Sequence, residues 1–158
     1  MGQKVNPIGF RIAVDKQWRS RWFANKKQFG ELLSEDMMIR EMVKKRLESA
    51  AITKILIERY ANRVRINLFT ARPGVVVGRK GQDIDKIRQE LAKKTGKDIY
   101  LEIHEVRDAD ANAQLVAENI AQQVERRVSL KRAMKRAEKV AMDMGVDGIK
   151  IRCSGRIN

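Results

Sequence analysis

Two glycines flank a pair of cations in the stretch Gly78-Arg79-Lys80-Gly81, which lies between a short apolar run and a helical pattern. Because glycine has no Cβ, such a turn lets the backbone approach a phosphate oxygen closely, and the free N–H groups at the start of the following helix favour anions. Arg79 and Lys80 add positive charge at the same place. This spacing is typical of a GxxG loop and predicts a grip on a sugar–phosphate backbone.

The same glycines do not fit a site for nucleotide hydrolysis. A Walker loop needs Gly-Lys followed by Ser or Thr, whereas Arg79 follows Gly78 here and Gln82 has no hydroxyl for magnesium. No two glycines separated by one residue precede the helix, so the Rossmann pattern fails as well. A bare GxxG more often just marks a turn, but a strand before it, an amphipathic helix after it and a further strand favour the phosphate-binding interpretation.

A second candidate site is a basic face on a C-terminal helix. Lys131 and Lys135 lie one helical turn apart, as do Arg132 and Arg136, so the four cations share one side of the helix. Residues 126–139 hold seven basic residues against Glu138 alone. A solvated charged face is the alternative, but mutual repulsion on this scale favours a bound polyanion. Such a face would recognise the RNA backbone and not its sequence.

No set of residues suggests catalysis or metal binding. His104 and Cys153 are the only residues of their types, so neither a disulfide framework nor a zinc site of ordinary spacing can form within the chain. Asp83 and Asp85 are interpreted as first-turn residues that complement a helix dipole. We therefore expect a protein that is not an enzyme, with no metal, no cofactor and no small-molecule substrate.

Composition limits the partners. The 158 residues include 34 Lys and Arg against 20 Asp and Glu, a net charge of +14, and 43% are hydrophobic, so a packed domain with a polyanionic partner is expected. A membrane is disfavoured because no apolar stretch approaches the roughly 18 residues of a spanning helix. The N-terminus lacks a signal-peptide pattern, and Asn6 replaces the Ser or Thr of a myristoylation motif. These features predict an intracellular protein without a membrane partner.

Periodicity predicts the elements that carry these sites. A helix is expected from Ser34 or Asp36 to about Ser49, strands at 52–59 and 63–69 around a turn at 60–62, a helix after the glycine turn that ends at Gly96, and a strand at 99–106. This is an α+β fold in the order helix-strand-strand-helix-helix-strand. The preceding residues 1–33 are expected to form an extended basic arm, with a short helix possible at 25–33. The aromatic rings of this arm either stack on RNA bases or anchor the arm on the core, and the sequence leaves both open.

The segment 107–113 is polar and predicts a domain boundary, with Asp108 and Asp110 as candidate helix caps. Two helices should follow. The first carries valines and an isoleucine from Val116 to Val128, and the second runs from near Leu130 to Gly145. A strand is expected at 148–156. The predicted organisation is a basic N-terminal arm at 1–38, a first domain at 39–107, and a second domain that begins at 108 and includes residues 108–158.

Several motifs resemble known families. "TARPGVVVGRKG", in its strand-to-helix setting, resembles a type II KH domain. "MGQKVNPIGFRI", "RWFANKKQF", "VERRV" with "KRAMKRA", and "GIKIRCSGR" resemble the bacterial S-three family of small-subunit ribosomal proteins, in order and over essentially the whole chain. That family normally continues past the point where "SGRIN" ends, so the second domain is expected to lack its later strands.

The resemblance implies a KH domain and a second α/β domain on the head of the small ribosomal subunit in the cytoplasm. The implied partners are small-subunit ribosomal RNA, messenger RNA at its entry channel, and ribosomal proteins S-ten and S-fourteen. The basic face would help position and unwind the messenger without nucleotide hydrolysis. A free-standing KH regulator that binds single-stranded RNA is the alternative. The implied ribosomal RNA contacts are Lys4, Arg11, Arg72, Arg126 and Arg127.

Overall fold

The structure, a computed structural model, describes residues 2–12, 14–78 and 81–156. The chain divides into two units, the first ending at His104 and the second beginning at Glu105. The first unit and its boundary contain α1 (Pro7–Arg11), β1 (Ser20–Arg21), α2 (Lys26–Arg46), a 3₁₀ turn (Glu48–Ala50), β2 (Ile52–Tyr60), β3 (Arg63–Thr70), α3 (Pro73–Val77), α4 (Gln82–Thr95) and β4 (Asp98–Glu105). The second unit contains α5 (Ala113–Glu125) and α6 (Leu130–Asp143).

The four strands form one sheet in the order β1-β2-β3-β4. β1 runs parallel to β2, and β2 pairs antiparallel with β3 through a two-residue loop, with Ile57 opposite Ile66. Side-chain contacts from Arg65 to Glu102 and from Asn67 to His104 advance in the same direction along both strands, so β4 runs parallel to β3. Parallel neighbours need a crossover connection, and α3 and α4 supply it. The three predicted strands of the first domain are thus confirmed.

The core lies on one face of this sheet. Alternate residues of the strands point to that face, as period-two sequence patterns require, and Ile57, Ile66 and Leu68 have no exposed surface. Helices α2 and α4 cover them, chiefly through Ile39 and Leu91, which are also fully buried. The core also includes residues from the end of β3, from α3 and from α4. It therefore fixes the position of the glycine turn between α3 and α4.

Helix α2 differs from its prediction. Its first helical residue is Lys26, not a residue next to Ser34 or Asp36, and the possible short helix at 25–33 is continuous with it. Asp36 is an interior residue with 1% of its surface exposed. A short acidic residue before an apolar stripe looks the same in sequence whether it caps a helix or is buried within one. The burial is possible here because Asp36 finds charged and neutral donors in the folded state.

The carboxylate of Asp36 is the centre of a polar cluster beneath the arm. Its Oδ2 atom accepts hydrogen bonds from Ser20 Oγ at 2.8 Å and from Trp22 Nε1 at 2.9 Å. Its Oδ1 atom accepts from Arg59 Nε at 2.8 Å. Arg59 is itself paired with Glu35 at 3.0 Å. The cluster therefore joins the arm, α2 and β2.

Arg40 also holds this part of the arm in place, through hydrogen bonds. Its guanidinium donates to the carbonyl oxygens of Ile55 at 2.6 Å and Arg19 at 2.8 Å, and to Ser20 Oγ at 2.8 Å. Burial lowers the pKa of Arg40, a shift that nearby Asp36 opposes. Arginine stays protonated in proteins, so the hydrogen bonds persist. The arm is thus not simply extended, since it contains α1 and contributes β1 to the sheet.

The second unit corrects two predictions. Asn112, not Asp108 or Asp110, caps α5, and its Oδ1 accepts from Gln114 N at 3.0 Å and from Leu115 N at 3.4 Å. Residues 148–156 form no strand. A strand is stable only beside another strand, and between residues 105 and 156 the structure offers the segment only two helices after β4 ends.

Candidate nucleic-acid interface

The predicted glycine turn connects α3 to α4 and depends on two unusual backbone conformations. Gly78 ends α3 with φ +68° and ψ −168°, a region that is essentially restricted to glycine. Gly81 precedes α4 in the left-handed region, with φ +78° and ψ 6°. The predicted cations between them, Arg79 and Lys80, lie outside the described residues. The backbone geometry therefore requires glycine at position 78 and favours it at position 81.

The entry to the turn is tied to the core. Thr70 Oγ1 donates to the Ala50 carbonyl oxygen and accepts from the backbone N–H of Arg72 at 3.0 Å. Val76, on the short helix α3, has no exposed surface. The side chain of Arg72 remains exposed while its backbone is held. The structure thus presents a predicted RNA-contacting cation beside the turn on a fixed support.

The acidic residues in the first turn of α4 neutralise cations of their own helix. Asp83 lies 3.7 Å from Lys86 Nζ, and Asp85 lies 3.0 Å from Arg88, both at a spacing of three residues. They do not face each other as a catalytic pair would. His104 stacks on the Phe69 ring at 4.9 Å between centroids, and its side chain is 46% exposed, so it is a surface histidine. Within residues 2–12, 14–78 and 81–156 no cluster could hold a metal, and no helix is long and apolar enough to cross a membrane.

The basic face on α6 is present as predicted and is larger than the four predicted residues. An open concavity of about 840 Å³ is lined by Ser129 and five cations. We call these cations the basic ridge: Lys131, Arg132, Lys135, Arg136 and Lys139. All five are exposed. The opposite side of α6 buries Ala133 and Ala141, and small residues there let the helix pack closely against its neighbour α5.

The cations of the basic ridge have no acidic partners within the part of the chain that the structure describes. Side chains four residues apart are separated by about 6 Å along a helix, which brings like charges close. Such an array is destabilising by a few tenths of a kcal/mol per pair unless an anion offsets it. The arrangement is therefore suited to a polyanionic backbone.

Arg126 and Arg127 form the turn between α5 and α6. The Arg127 N–H donates to the Val124 carbonyl at 2.9 Å and the Val128 N–H to the Gln123 carbonyl at 3.0 Å, the two bonds of a Schellman motif. Arg127 occupies the left-handed position of this motif with φ +62°, where glycine is the usual residue. Both arginines are exposed. The chain thus keeps a cation at a position where its backbone is strained.

The remaining predicted contacts lie in the arm. Lys4 is exposed ahead of α1, and Arg11 is exposed in the last turn of α1, where its NH1 atom donates to the Pro7 carbonyl at 3.0 Å. Asn6 begins this helix by accepting from Ile8 N at 2.9 Å. Lys4, Arg11 and Arg72 therefore belong to the first unit, and Arg126, Arg127 and the basic ridge belong to the second.

Two of the residues that line the concavity, Ser129 and Lys139, were not among the predicted site residues. Lys139 lies one turn beyond Lys135, so the i+4 spacing that identifies the basic face also extends it to Lys139. Ser129 precedes α6 but makes no side-chain cap. Its inclusion depends on the turn geometry, for which the sequence carries no periodic signal.

The order of helices and strands, with two glycines in special conformations between α3 and α4, defines a KH-domain protein. The KH domain family matches residues 38–111, and the family described as ribosomal protein S3, C-terminal domain, matches residues 120–158. The chain belongs to the family of small ribosomal subunit protein uS3, which the following relatives establish.

Small ribosomal subunit protein uS3 of Methylacidiphilum infernorum is 55% identical over 159 residues, which cover 99% of this chain and 74% of that protein. Those of Akkermansia muciniphila and Azorhizobium caulinodans are 55% and 52% identical, again over 99% of this chain, and the matches cover 69% and 63% of their lengths. The chain therefore spans roughly two thirds to three quarters of the length of these relatives.

Proposed function

We propose that this protein is a structural, non-enzymatic constituent of the small ribosomal subunit that binds small-subunit ribosomal RNA. Its relatives are named as small ribosomal subunit proteins. The observation that carries the proposal for this chain is the basic ridge, in which five exposed cations line one concavity without acidic partners among the described residues. Family membership also supports the absence of catalytic activity.

The glycine turn is the second RNA-binding element of the proposal. Gly78 and Gly81 let a phosphate approach the backbone, and Arg79 and Lys80 supply charge beside it. Arg72 lies before the turn and is exposed. We assign this loop, with the arm residues Lys4 and Arg11, to ribosomal RNA. The corresponding domains are the arm at 1–38, the KH domain at 39–107, and the start of the C-terminal domain at 108–158.

For the basic ridge we propose contact with messenger RNA at the entry channel, on the head of the subunit near proteins S-ten and S-fourteen. Cations spaced about 6 Å apart along a helix follow a backbone without reading its bases. They would therefore hold one strand of the messenger as it separates from its complement. Arg126 and Arg127 extend the positive surface at the start of the same helix.

Sedimentation tests the ribosomal assignment. A lysate is fractionated on a sucrose gradient at moderate salt, and the protein is quantified against ribosomal RNA in each fraction. We expect one copy per small subunit. A free-standing KH regulator would remain mostly in the light fractions, and that distribution would overturn the proposal.

The ridge assignment is tested by replacing Lys131, Arg132 and Lys135 with alanine together. We expect this variant to slow translation through structured messengers more than through unstructured ones, because strand separation is the step that needs the cations. The matched control removes the same charge from exposed lysines of the first unit, Lys45, Lys93 and Lys94. Equal slowing on both templates by the ridge variant would contradict an unwinding role.

A further inference from the structure

The aromatic residues of the arm fall into two groups in the structure. Trp22 is an anchor, because its Nε1 donates to buried Asp36 at 2.9 Å, its ring lies 5.4 Å from the Phe29 ring, and the Arg59 guanidinium lies 5.8 Å from it. Phe23, the next residue, has 92% of its surface exposed. The sequence alone could not separate these roles, since both residues belong to one run of rings and cations.

The position of Phe23 is fixed although its ring is free. Ser20 and Trp22 both point toward Asp36, so in this extended segment Arg21 and Phe23 point the opposite way. Arg21 lies 3.5 Å from Glu58 on the neighbouring strand. No ring of the described residues stacks on Phe23. A partner would thus meet a ring whose backbone is already ordered, which lowers the entropic cost of binding.

The charges around Phe23 indicate the kind of partner. Residues 2–27 contain seven basic residues, namely Lys4, Arg11, Lys16, Arg19, Arg21, Lys26 and Lys27, against Asp15 alone. An apolar pocket on a protein would need the ring but not this excess of charge. Unpaired RNA satisfies both, because its bases stack on aromatic rings while its phosphates attract the cations.

We propose that Phe23 is a stacking platform for an unpaired RNA base, and that Trp22 holds it in place through Asp36. The proposal deepens the RNA-binding function given above and depends on it. The exposed cations that follow Phe23 in sequence, Lys26 and Lys27, would hold the phosphates next to the stacked base. Phe23 then distinguishes unpaired from paired RNA, which cannot offer a base face.

The test compares side chains at position 23 in the full chain, with purified small-subunit ribosomal RNA as the probe and filter binding at fixed salt as the assay. We expect Phe23→Trp to bind within twofold of the wild type, and Phe23→Leu, which keeps the apolar character but lacks a π face, to bind about fivefold or more weakly. The slope of log affinity against log salt should not change, because no charge is altered. Tyr60→Leu, at another exposed ring, is the matched control and should have no effect.

Three results separate the possible failures. If Phe23→Leu binds as tightly as the wild type, the stacking proposal is overturned while RNA binding stands. If Phe23→Leu retains affinity for the RNA but reduces the protein content of purified small subunits, a protein pocket holds the ring and the proposal is again wrong. If the wild type has no affinity for the RNA, the proposed function itself fails. Tryptophan fluorescence of Phe23→Leu, in which Trp18 and Trp22 are still the two tryptophans, checks that the arm remains docked through Trp22.

Discussion

Substituting alanine for each of three glycines around the turn tests its geometry directly. Gly74 lies within α3 at a φ that any residue adopts, and no described atom lies within 4 Å of a Cβ built there. Gly81 has positive φ but equally open space around its Cβ position. Gly78 combines positive φ with crowding by Asp83. One added methyl group therefore meets three different physical situations within eight residues.

The expected costs follow from these situations. Gly74→Ala should stabilise the unit by about 0.5–1 kcal/mol, because alanine loses less backbone entropy on folding. Gly81→Ala should cost about 1–2 kcal/mol for the left-handed conformation. At Gly78 the new Cβ would lie 2.7 Å from Asp83 Cγ and 2.8 Å from Asp83 Cβ. Relieving these contacts requires the Asp83 side chain and the nearby backbone of α4 to shift, which adds a steric cost to the conformational cost. The expected total loss of unfolding free energy for Gly78→Ala is about 2–4 kcal/mol.

Urea unfolding followed by tryptophan fluorescence is the appropriate assay. The two tryptophans of the chain, Trp18 and Trp22, both belong to the first unit, so the signal reports on the unit that contains the turn. Comparable m-values across the series would show that the same surface unfolds in each variant, which makes the differences in unfolding free energy comparable.

The critical result is the order of the three variants in unfolding free energy. If Gly78→Ala costs no more than Gly81→Ala, then Asp83 does not crowd the turn in solution and the steric argument is wrong. If Gly74→Ala destabilises the unit as much as either, α3 does not have the conformation described. A double variant, Gly78→Ala with Asp83→Ala, should recover the part of the steric cost that comes from the Asp83 carboxyl group, but neither the part that comes from the Cβ atom at position 83 nor the conformational part.

Two further pairs of substitutions test other features. Arg127→Gly should stabilise the turn between α5 and α6 by about 1 kcal/mol, which would appear as slower amide exchange at the end of α5. Arg126→Gly removes the same charge at an ordinary φ and should make that exchange faster. Asp36→Asn removes one of the two carboxylates that pair with buried Arg59 and leaves Glu35, so it should cost about 1–3 kcal/mol in urea unfolding. Asp85→Asn, at an exposed pair, should cost under 1 kcal/mol, and equal effects would refute the role of burial.

The parts of the fold that sequence predicts well are those with local causes. β2 and β3 follow from alternating apolar residues on either side of a short turn, and the end of α4 follows from Gly96, which has the left-handed conformation expected of a helix-terminating glycine. The basic face follows from i+4 spacing alone. In each case neighbouring residues determine the structure, and distant contacts only reinforce it.

The predictions that failed depend on distant contacts. Asp36 is buried because Trp22 and Arg59, from other elements, supply donors, and nothing in its own neighbourhood shows this. The segment 148–156 has the composition of a strand but no strand beside it in the structure, so composition without a partner predicts wrongly. The sequence left open which rings of the arm are anchored, and the contact of Trp22 with Asp36, which distinguishes it from exposed Phe23, is likewise a property of the folded arm.

The two units differ in how their cations are paired. In the first unit several cations meet acids, among them Arg59 with Glu35 and Arg65 with Glu102, although 23 Lys and Arg against 12 Asp and Glu still give residues 1–104 a net charge of +11. The basic ridge of the second unit has no such partners in the described parts of the chain. Because only cations that neutralise phosphates release counter-ions, a cation already paired with an acid contributes less to salt dependence than an unpaired one. The basic ridge should therefore contribute to the salt dependence of RNA affinity, in addition to the cations of the arm and of the glycine turn.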